Sequence, residues 1–183
     1  MAVSAILAQR VLRRLGDLLC EQGKSHEGIA RYDMALQIDP DHTPTLINRG
    51  CTFYELGEYR NAIADYERIL EVANVRRTML DEDNAEEHAL NNLAWLLATA
   101  TDEFRDGQRA VELATKACEL TDYASAMNMG TLAAAYAEIG DFESAVKWSE
   151  KAIELEPDPI ARERSAKHLA SYRSGRPWRE SGD

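Results

Sequence analysis

Proline is scarce in this sequence, and alternating runs of β-branched residues are missing. There are five prolines among 183 residues. Proline interrupts helices, while alternation of apolar and polar residues marks a half-buried strand, so both shortages favour helices. Because the composition is 45% hydrophobic and 29% charged, as in globular proteins, we predict one all-α domain over residues 1–183, large enough for a continuous core.

Long apolar runs and paired cysteines are also missing. No run approaches the ~18 residues that a membrane span requires. The three cysteines form no CxxC pair and leave an odd number, which is typical of thiols in a reducing compartment. The first 16 residues carry an apolar patch and three arginines, but they lack the charged n-region and cleavage site of a secretion signal. We expect cytoplasmic localisation and no membrane partner.

Positive charge is in short supply. The chain has 21 Lys and Arg against 32 Asp and Glu, a net charge of −11. Nucleic-acid binding depends on clustered Lys and Arg, so we expect no nucleic-acid partner. Residues 81–87 hold five acids and no base, whereas residues 161–183 hold six bases against three acids. We interpret both runs as solvated surface, which is what charge runs usually are.

Motifs that carry catalysis or hold a metal do not occur. There is no HExxH, GxSxG or GxGxxG motif. Residues 23–25 read Gly-Lys-Ser, but a phosphate-binding loop needs a second glycine where this chain has Leu18. The histidines are scattered, and none has a second ligand at helical spacing: they are His26, His42, His88 and His168. We therefore expect no enzymatic activity, no cofactor and no metal.

The chain does contain a repeat. Gly23 recurs 34 residues later as Gly57, and other positions recur with it. The aligned pairs are Gly16 and Gly50, Leu19 and Phe53, Gly28 and Ala62, Tyr32 and Tyr66, and Ala35 and Ile69. A further copy near the end carries Ala133, Tyr136, Gly140, Phe142, Ala145, Ala152 and Pro157. A more divergent copy before it carries Ala94, Leu97, Ala110 and Ala117, with four extra residues in its turn.

This pattern resembles the tetratricopeptide repeat family, whose 34-residue unit is a helix–turn–helix. The resemblance covers about residues 9–157, and the C-terminal tail resembles the end of large bacterial proteins of this family. It implies a right-handed superhelical α-solenoid. The repeats would span residues 9–42, 43–76, 87–124 and 126–159, with an acidic linker at 78–86 and a capping helix at 159–174.

The residue types suit this arrangement physically. Small residues such as Gly16 and Gly28 let two helices approach closely. Gly23, Gly57 and Gly140 would end their helices in the left-handed conformation that glycine tolerates best. Gly-Lys-Ser is thus expected to be a helix stop and the start of a turn.

The array departs from ideal spacing in two places. About ten extra residues separate repeats two and three. We expect the second helix of repeat two to run on to about Arg77, followed by an acidic loop; a hinge between two helix pairs is the alternative. In the capping helix, Ile160, Leu169 and Tyr172 are predicted to share one face. We expect Trp178 to fold back on the last repeat, because exposed Trp favours aggregation; docking a partner is its alternative.

Solenoids usually bind partners on their concave face, which in this family is built mainly from the first helix of each unit. Counting the outward helical stripe gives the candidate binding residues. They are Arg10, Arg13, Asp17, Ile47, Asn48, Cys51, Tyr54, Asn91, Asn92, Trp95, Thr131 and Glu138.

These residues suit a peptide or protein segment. Aromatic and aliphatic side chains such as Tyr54 and Trp95 can anchor a partner, and Asn side chains can bond a peptide backbone in two directions. Trp95 could instead fill the widened joint between repeats two and three. Cys20 and Cys51 could alternatively form a redox or metal pair. We therefore expect a non-catalytic interaction module; self-association, or a spacer role in a larger assembly, is the alternative.

One activity of the family, a clamp on the C-terminal carboxylate of chaperone tails, is not expected. Arg13 and Asn48 match that clamp. Asp17, however, stands where its first Asn belongs, and His88 and Asn92 stand where its two cations belong. An aspartate facing a carboxylate repels it.

Overall fold

The computed structural model describes residues 2–76 and 84–179. Within these residues the chain forms helices and no strand, so the predicted all-α class is confirmed. The described helices are α1 (Ala2–Glu21), α2 (Ser25–Ile38), α3 (Thr43–Glu55), α4 (Tyr59–Arg76), α5 (Ala85–Thr99), α6 (Gly107–Leu120), α7 (Ala126–Glu138), α8 (Phe142–Leu155) and α9 (Pro159–Arg173). None of these described helices is long and apolar enough to cross a membrane.

Neighbouring helices pack against each other along the chain. The chain divides into two compact units, Met1–Ala89 and Leu90–Asp183, with the division inside α5. In the first unit, α1 packs on α2, α2 on α3, and α3 on α4. In the second, α6 packs on α7, α7 on α8, and α8 on α9. Within each unit the helices thus stack in sequence order, as an α-solenoid does.

Glycines end three of the first helices, as predicted. Gly23, Gly57 and Gly140 have φ values of 75°, 74° and 81°. The amide of Lys24 donates to the Leu19 carbonyl at 2.9 Å, the long backbone bond of a glycine-terminated helix end. Gly-Lys-Ser at residues 23–25 is therefore a helix stop followed by the first residue of α2, not a phosphate-binding loop.

Close approach within the first two hairpins requires glycine. A Cβ atom on Gly16 would lie 2.4 Å from Cε1 of Tyr32, and one on Gly50 would lie 2.7 Å from Cε1 of Tyr66. Both tyrosines are 2% exposed, so neither ring can move aside cheaply. The small residue in α1 or α3 and the tyrosine in α2 or α4 thus form one packing unit, repeated in the second hairpin.

The insertion between repeats two and three is only partly described. Helix α4 extends at least to Arg76, in agreement with the predicted extension. Most of the predicted acidic linker at 78–86 lies outside the described residues, and α5 already begins at Ala85. Whether this stretch acts as a hinge stays a prediction.

Helix α9 lies where the capping helix was predicted. Asp158 caps it by accepting from the amides of Ile160 and Ala161, at 3.2 Å each. Leu169 and Tyr172 are buried, but Ile160 is 80% exposed. The prediction that Ile160 shares their face is wrong, because Leu169, nine positions on, points to the opposite side of an α-helix and Tyr172 lies about 120° away from Ile160.

Candidate peptide-binding surface

In the first unit, three of the predicted binding residues meet around one carboxylate. Asp17 in α1 accepts a bond from Arg13 at 3.0 Å and one from Asn48 of α3 at 2.7 Å. The hydroxyl of Tyr32 in α2 donates to the same carboxylate at 3.0 Å. Arg13 and Asp17 keep 21% and 19% of their side chains exposed. The arrangement is a partly open polar cluster in which the charge of Asp17 is already compensated.

This cluster also fixes the ionisation of Tyr32. Burial is the main cause that raises the pKa of this phenol well above its usual value, and Cys20 and Asp17 raise it further. Tyr32 is therefore a neutral hydrogen-bond donor, and it holds Asp17 in position for Asn48.

The remaining candidates of α3 are half-buried. The Cys51 thiol accepts from the Tyr66 hydroxyl at 3.6 Å, and burial raises its pKa, so it is protonated and unreactive at neutral pH. The rings of Tyr54 and Tyr59 lie 5.6 Å apart. Ile47, in the same helix as Tyr54, is half-buried, and Arg10 of α1 is exposed.

The alternative of a redox or metal pair between Cys20 and Cys51 gains no support. Cys20 contacts the hydroxyl of Thr52 at 3.6 Å, whereas Cys51 contacts Tyr66. Cys20, Cys51 and Cys118 form no disulfide. In the part of the chain that the structure describes, no group of three or more His, Cys, Asp or Glu side chains could hold a metal ion.

In the second unit, two of the predicted binding residues are buried. Asn91 of α5 and Thr131 of α7 are each only 3% exposed. The reason is that α5 and α7 are covered on most of their sides rather than on one stripe, as their many buried alanines and leucines show. We therefore remove Asn91 and Thr131 from the candidate surface, while Asn92, Trp95 and Glu138 stay half-exposed on it.

The C-terminal tail lies on this part of the second unit. Gly175, with φ of 70°, ends α9, and the amide of Arg176 donates back to the Ser171 carbonyl at 3.1 Å. The Trp178 ring then lies 4.3 Å from the ring of His168, which itself lies 5.8 Å from the ring of Trp95. Trp178 thus folds back against α9, whereas the sequence analysis expected it on the last repeat.

Arg179 extends the contact to α7 and α5. Its guanidinium lies 2.6 Å from Oε2 of Glu138 and donates to the Ala98 carbonyl at 3.5 Å. The other oxygen of Glu138 accepts from Nε of Arg105 at 2.9 Å. One carboxylate, 14% exposed, is therefore held between two arginines.

The histidine of this cluster is uncharged. Burial, and secondarily the charge of Arg164, lowers the pKa of His168 from 6.5 to about 4. At neutral pH, Trp95 and Trp178 thus flank a neutral ring.

Sequence reasoning missed His168, Arg105 and Arg179 as members of this surface. The basic character of the tail was visible, but it was interpreted as solvated charge. The partner of Arg179 lies 41 positions earlier in the chain, and no helical or repeat spacing connects the two.

Comparison with known proteins agrees with the repeat pattern. The tetratricopeptide repeat family matches residues 7–74 and again residues 128–159. No curated protein matches the chain.

Several solved structures share the fold. A crystal structure of MamA protein is 21% identical, with a TM-score of 0.66 over 92% of this chain and 82% of that one. A second MamA crystal structure is 20% identical, with a TM-score of 0.61 over 87% of this chain and 93% of that one. MamA from Desulfovibrio magneticus RS-1 is 14% identical, with a TM-score of 0.64 over 91% and 94%. Because the family matches cover more than half of the 183 residues and the hairpins follow the repeats, the chain belongs to the tetratricopeptide repeat family.

Proposed function

We propose that this protein is a non-catalytic scaffold that holds a peptide or protein segment against the first helices of its repeats. Tetratricopeptide repeats support a role in protein–protein interaction. The observation that carries the finer proposal is the position of the chain's own tail, because Arg179 contacts Glu138 of α7 and the Ala98 carbonyl of α5, while Trp178 packs on His168 of α9. A surface that accepts one extended segment is suited to accept another.

The first unit offers complementary chemistry for such a segment. The Asn48 amide nitrogen donates to Asp17, and the amide oxygen is a group that can accept from a ligand's backbone amide. Tyr54 is half-buried and supplies an aromatic surface, and Arg10 is exposed. Each unit has its own proposed surface. That of the first unit comprises Arg10, Arg13, Asp17, Ile47, Asn48, Cys51 and Tyr54, and that of the second comprises Asn92, Trp95 and Glu138.

We do not propose binding of a chaperone C-terminal carboxylate. Arg13, the one matching cation, is engaged by Asp17 at 3.0 Å, and the negative charge of Asp17 opposes an incoming carboxylate. We retain the expectations of a cytoplasmic protein with no nucleic-acid partner and no membrane partner.

A peptide-display selection tests the proposal. Random 12-residue peptides would be selected on the whole protein, and the enriched peptides would be measured against variants. We expect Asn48→Ala to weaken peptides that bind the first unit, and Trp95→Ala to weaken those that bind the second. Glu112→Ala, an exposed change on a second helix, is the matched control. Enriched peptides that bind all three variants as well as the unmodified protein would show that the first helices are not the binding surface.

Self-association is the second candidate, and one feature of α1 favours it. Val11 and Leu18 are 57% and 53% exposed, whereas Thr45 and Thr52, which occupy the same repeat positions in α3, are 0% and 4% exposed. In α3 this face contacts the preceding hairpin through Gln9 and Cys20. The same face on α1 is more apolar and exposed, so a second copy of the chain is the occupant that we propose for it.

Light scattering over a range of concentrations tests self-association. We expect an oligomer that Val11→Lys together with Leu18→Lys converts to a monomer. Val75→Lys is the control, because Val75 is 82% exposed in α4, away from this face. A monomer at every concentration rejects this candidate and leaves peptide binding untouched.

A further inference from the structure

The C-terminal tail lies on a surface that belongs to the binding helices of the second unit. We define the tail as residues 176–179 and the tail-binding face as Trp95, Ala98, Glu138 and His168. We propose that the tail is an intramolecular ligand, and that the external partner of this face presents the same chemistry, an aromatic side chain beside an arginine. The inference rests on the proposed function and names the class of segment that the second unit binds.

The tail contacts three different helices through specific groups. Trp178 packs its ring 4.3 Å from His168 in α9. Arg179 pairs with Glu138 in α7 at 2.6 Å and reaches the Ala98 carbonyl in α5 at 3.5 Å. Contacts to α9, α7 and α5 by two consecutive residues distinguish this segment from a chain end that follows its own helix.

The face is built to accept a cation. Glu138 is 14% exposed and is already paired with Arg105 at 2.9 Å, yet its second oxygen faces the tail. The carbonyl of Ala98 lies in the last turn of α5, where the helix dipole favours positive charge. A planar guanidinium satisfies a carboxylate and a carbonyl together, because its donors spread in a fixed fork.

The face is also built to accept a flat apolar side chain. His168 is neutral at physiological pH, since burial lowers its pKa to about 4. Its ring, with that of Trp95 5.8 Å away, provides an aromatic platform without a repelling charge. An indole, phenol or phenyl ring stacks well on such a platform. Ring and guanidinium must come from neighbouring residues, as they do in Trp178 and Arg179.

The tail can be displaced because few side chains attach it to the tail-binding face. The contacts to the tail-binding face come from the side chains of Trp178 and Arg179, and Arg179 is 25% exposed. The tethered tail competes for the face at an effective concentration in the millimolar range. An external segment can bind only the molecules whose face is open, so its apparent affinity is reduced by that fraction. Removing the tail's two side chains should therefore increase the apparent affinity of an external segment by about tenfold.

A trans-binding experiment tests the inference. The probe is a fluorescently labelled, C-terminally amidated peptide of residues 174–179, titrated into whole protein and followed by anisotropy. We expect Trp178→Ala with Arg179→Ala in the protein to bind it about tenfold more tightly than the unmodified protein does. Adding Glu138→Gln to that double variant should remove most of the gain. The charge reversal Arg179→Glu alone is the second opening variant, and circular dichroism confirms that each variant is folded.

Two results would overturn the inference. One is equal affinity of the peptide for the unmodified protein and both opening variants, since the tail would then not compete. The other is binding that is unaffected by Glu138→Gln or by replacing Trp and Arg of the peptide with Ala. Suppose that the tail peptide does not bind as expected while the display-selected peptides still bind more weakly to Trp95→Ala or Asn48→Ala. In that case the tail inference is wrong and the proposed function stands. If those peptides lose this dependence while the tail peptide behaves as expected, the general proposal is wrong.

Discussion

Arg49 joins α2, α3 and α4, and its removal should be costly. Its Nε and NH2 groups contact the two oxygens of Asp65 at 2.9 and 2.6 Å, and its NH1 group contacts Asp33 at 2.6 Å. Asp65 is only 6% exposed, whereas Asp33 is 48% exposed. Burial raises the pKa of Asp65, and Arg49 acts against that rise. Arg49→Met keeps the apolar stem of the side chain and leaves a buried carboxylate without its cation.

The size of the expected loss in stability follows from the burial of Asp65. Breaking a buried ion pair by removing one partner costs about 3 to 5 kcal/mol, and the exposed Asp33 adds little. We therefore expect Arg49→Met to lower the free energy of unfolding by about 3 kcal/mol at pH 7. In the variant, the pKa of Asp65 lies above its unfolded value, so the protonated form is favoured by folding. The loss in free energy of unfolding is smallest at pH values below the unfolded pKa of Asp65. It grows as the pH rises from there through the folded pKa of Asp65.

Urea unfolding followed by far-ultraviolet circular dichroism measures this loss. Arg49→Met with Asp65→Leu should recover most of it, because a buried ion pair replaced by apolar groups is nearly neutral. Arg68→Met is the matched control, since Arg68 makes a similar pair with Asp41 at 46% and 38% exposure and should matter far less. If Arg49→Met falls within about 1 kcal/mol of the unmodified protein, or if the double variant is no more stable than the single one, the buried-charge explanation is wrong.

Three further outcomes are expected. Gly16→Ala should lower stability by about 1 to 3 kcal/mol in urea unfolding, because its Cβ would meet Tyr32 at 2.4 Å; no loss would mean that the hairpin relaxes freely. Gly130→Ala has nothing within 4 Å of its Cβ and should be neutral or stabilising by up to about 1 kcal/mol; a loss would contradict the open space. Because burial lowers the pKa of His168 to about 4, protonation of its ring opposes folding, so the free energy of unfolding should fall as the pH drops from 6.5 toward 4. Tryptophan fluorescence during acid titration should detect this loss, and His168→Phe should remove it.

The helix boundaries were predictable because they depend on local chemistry. Gly23 ends its helix because it adopts a positive φ. Asp158 begins a helix because its carboxylate accepts hydrogen bonds from the backbone amides two and three residues later. The partner residues of a hairpin were predictable for a related reason. The repeat predicts that Gly16 faces Gly28, and a Cβ atom on Gly28 would lie 3.0 Å from the Gly16 carbonyl oxygen. The contacts of Gly16 with Tyr32 and of Gly50 with Tyr66 were not predicted. Each of these relations spans less than one repeat.

The exposure of individual side chains was less predictable. A helical stripe identifies the outward face only when one side of a helix is covered, and α5 and α7 are covered on most sides. This is why Asn91 and Thr131 are 3% exposed. The face of Ile160 was misjudged for another reason, since Leu169 lies half a helical rotation from it.

The order of residues alone therefore determined the helical class, the 34-residue hairpin, the turns and the close contacts inside each hairpin, because all of these arise over a few turns of chain. Only the folded arrangement determined that Arg179 meets Glu138 and that His168 lies near both Trp95 and Trp178. The Arg179–Glu138 and His168–Trp95 pairs join segments far apart in the chain, and they form only when helix stacking brings those segments together. The proposed ligand chemistry of the second unit depends on that stacking.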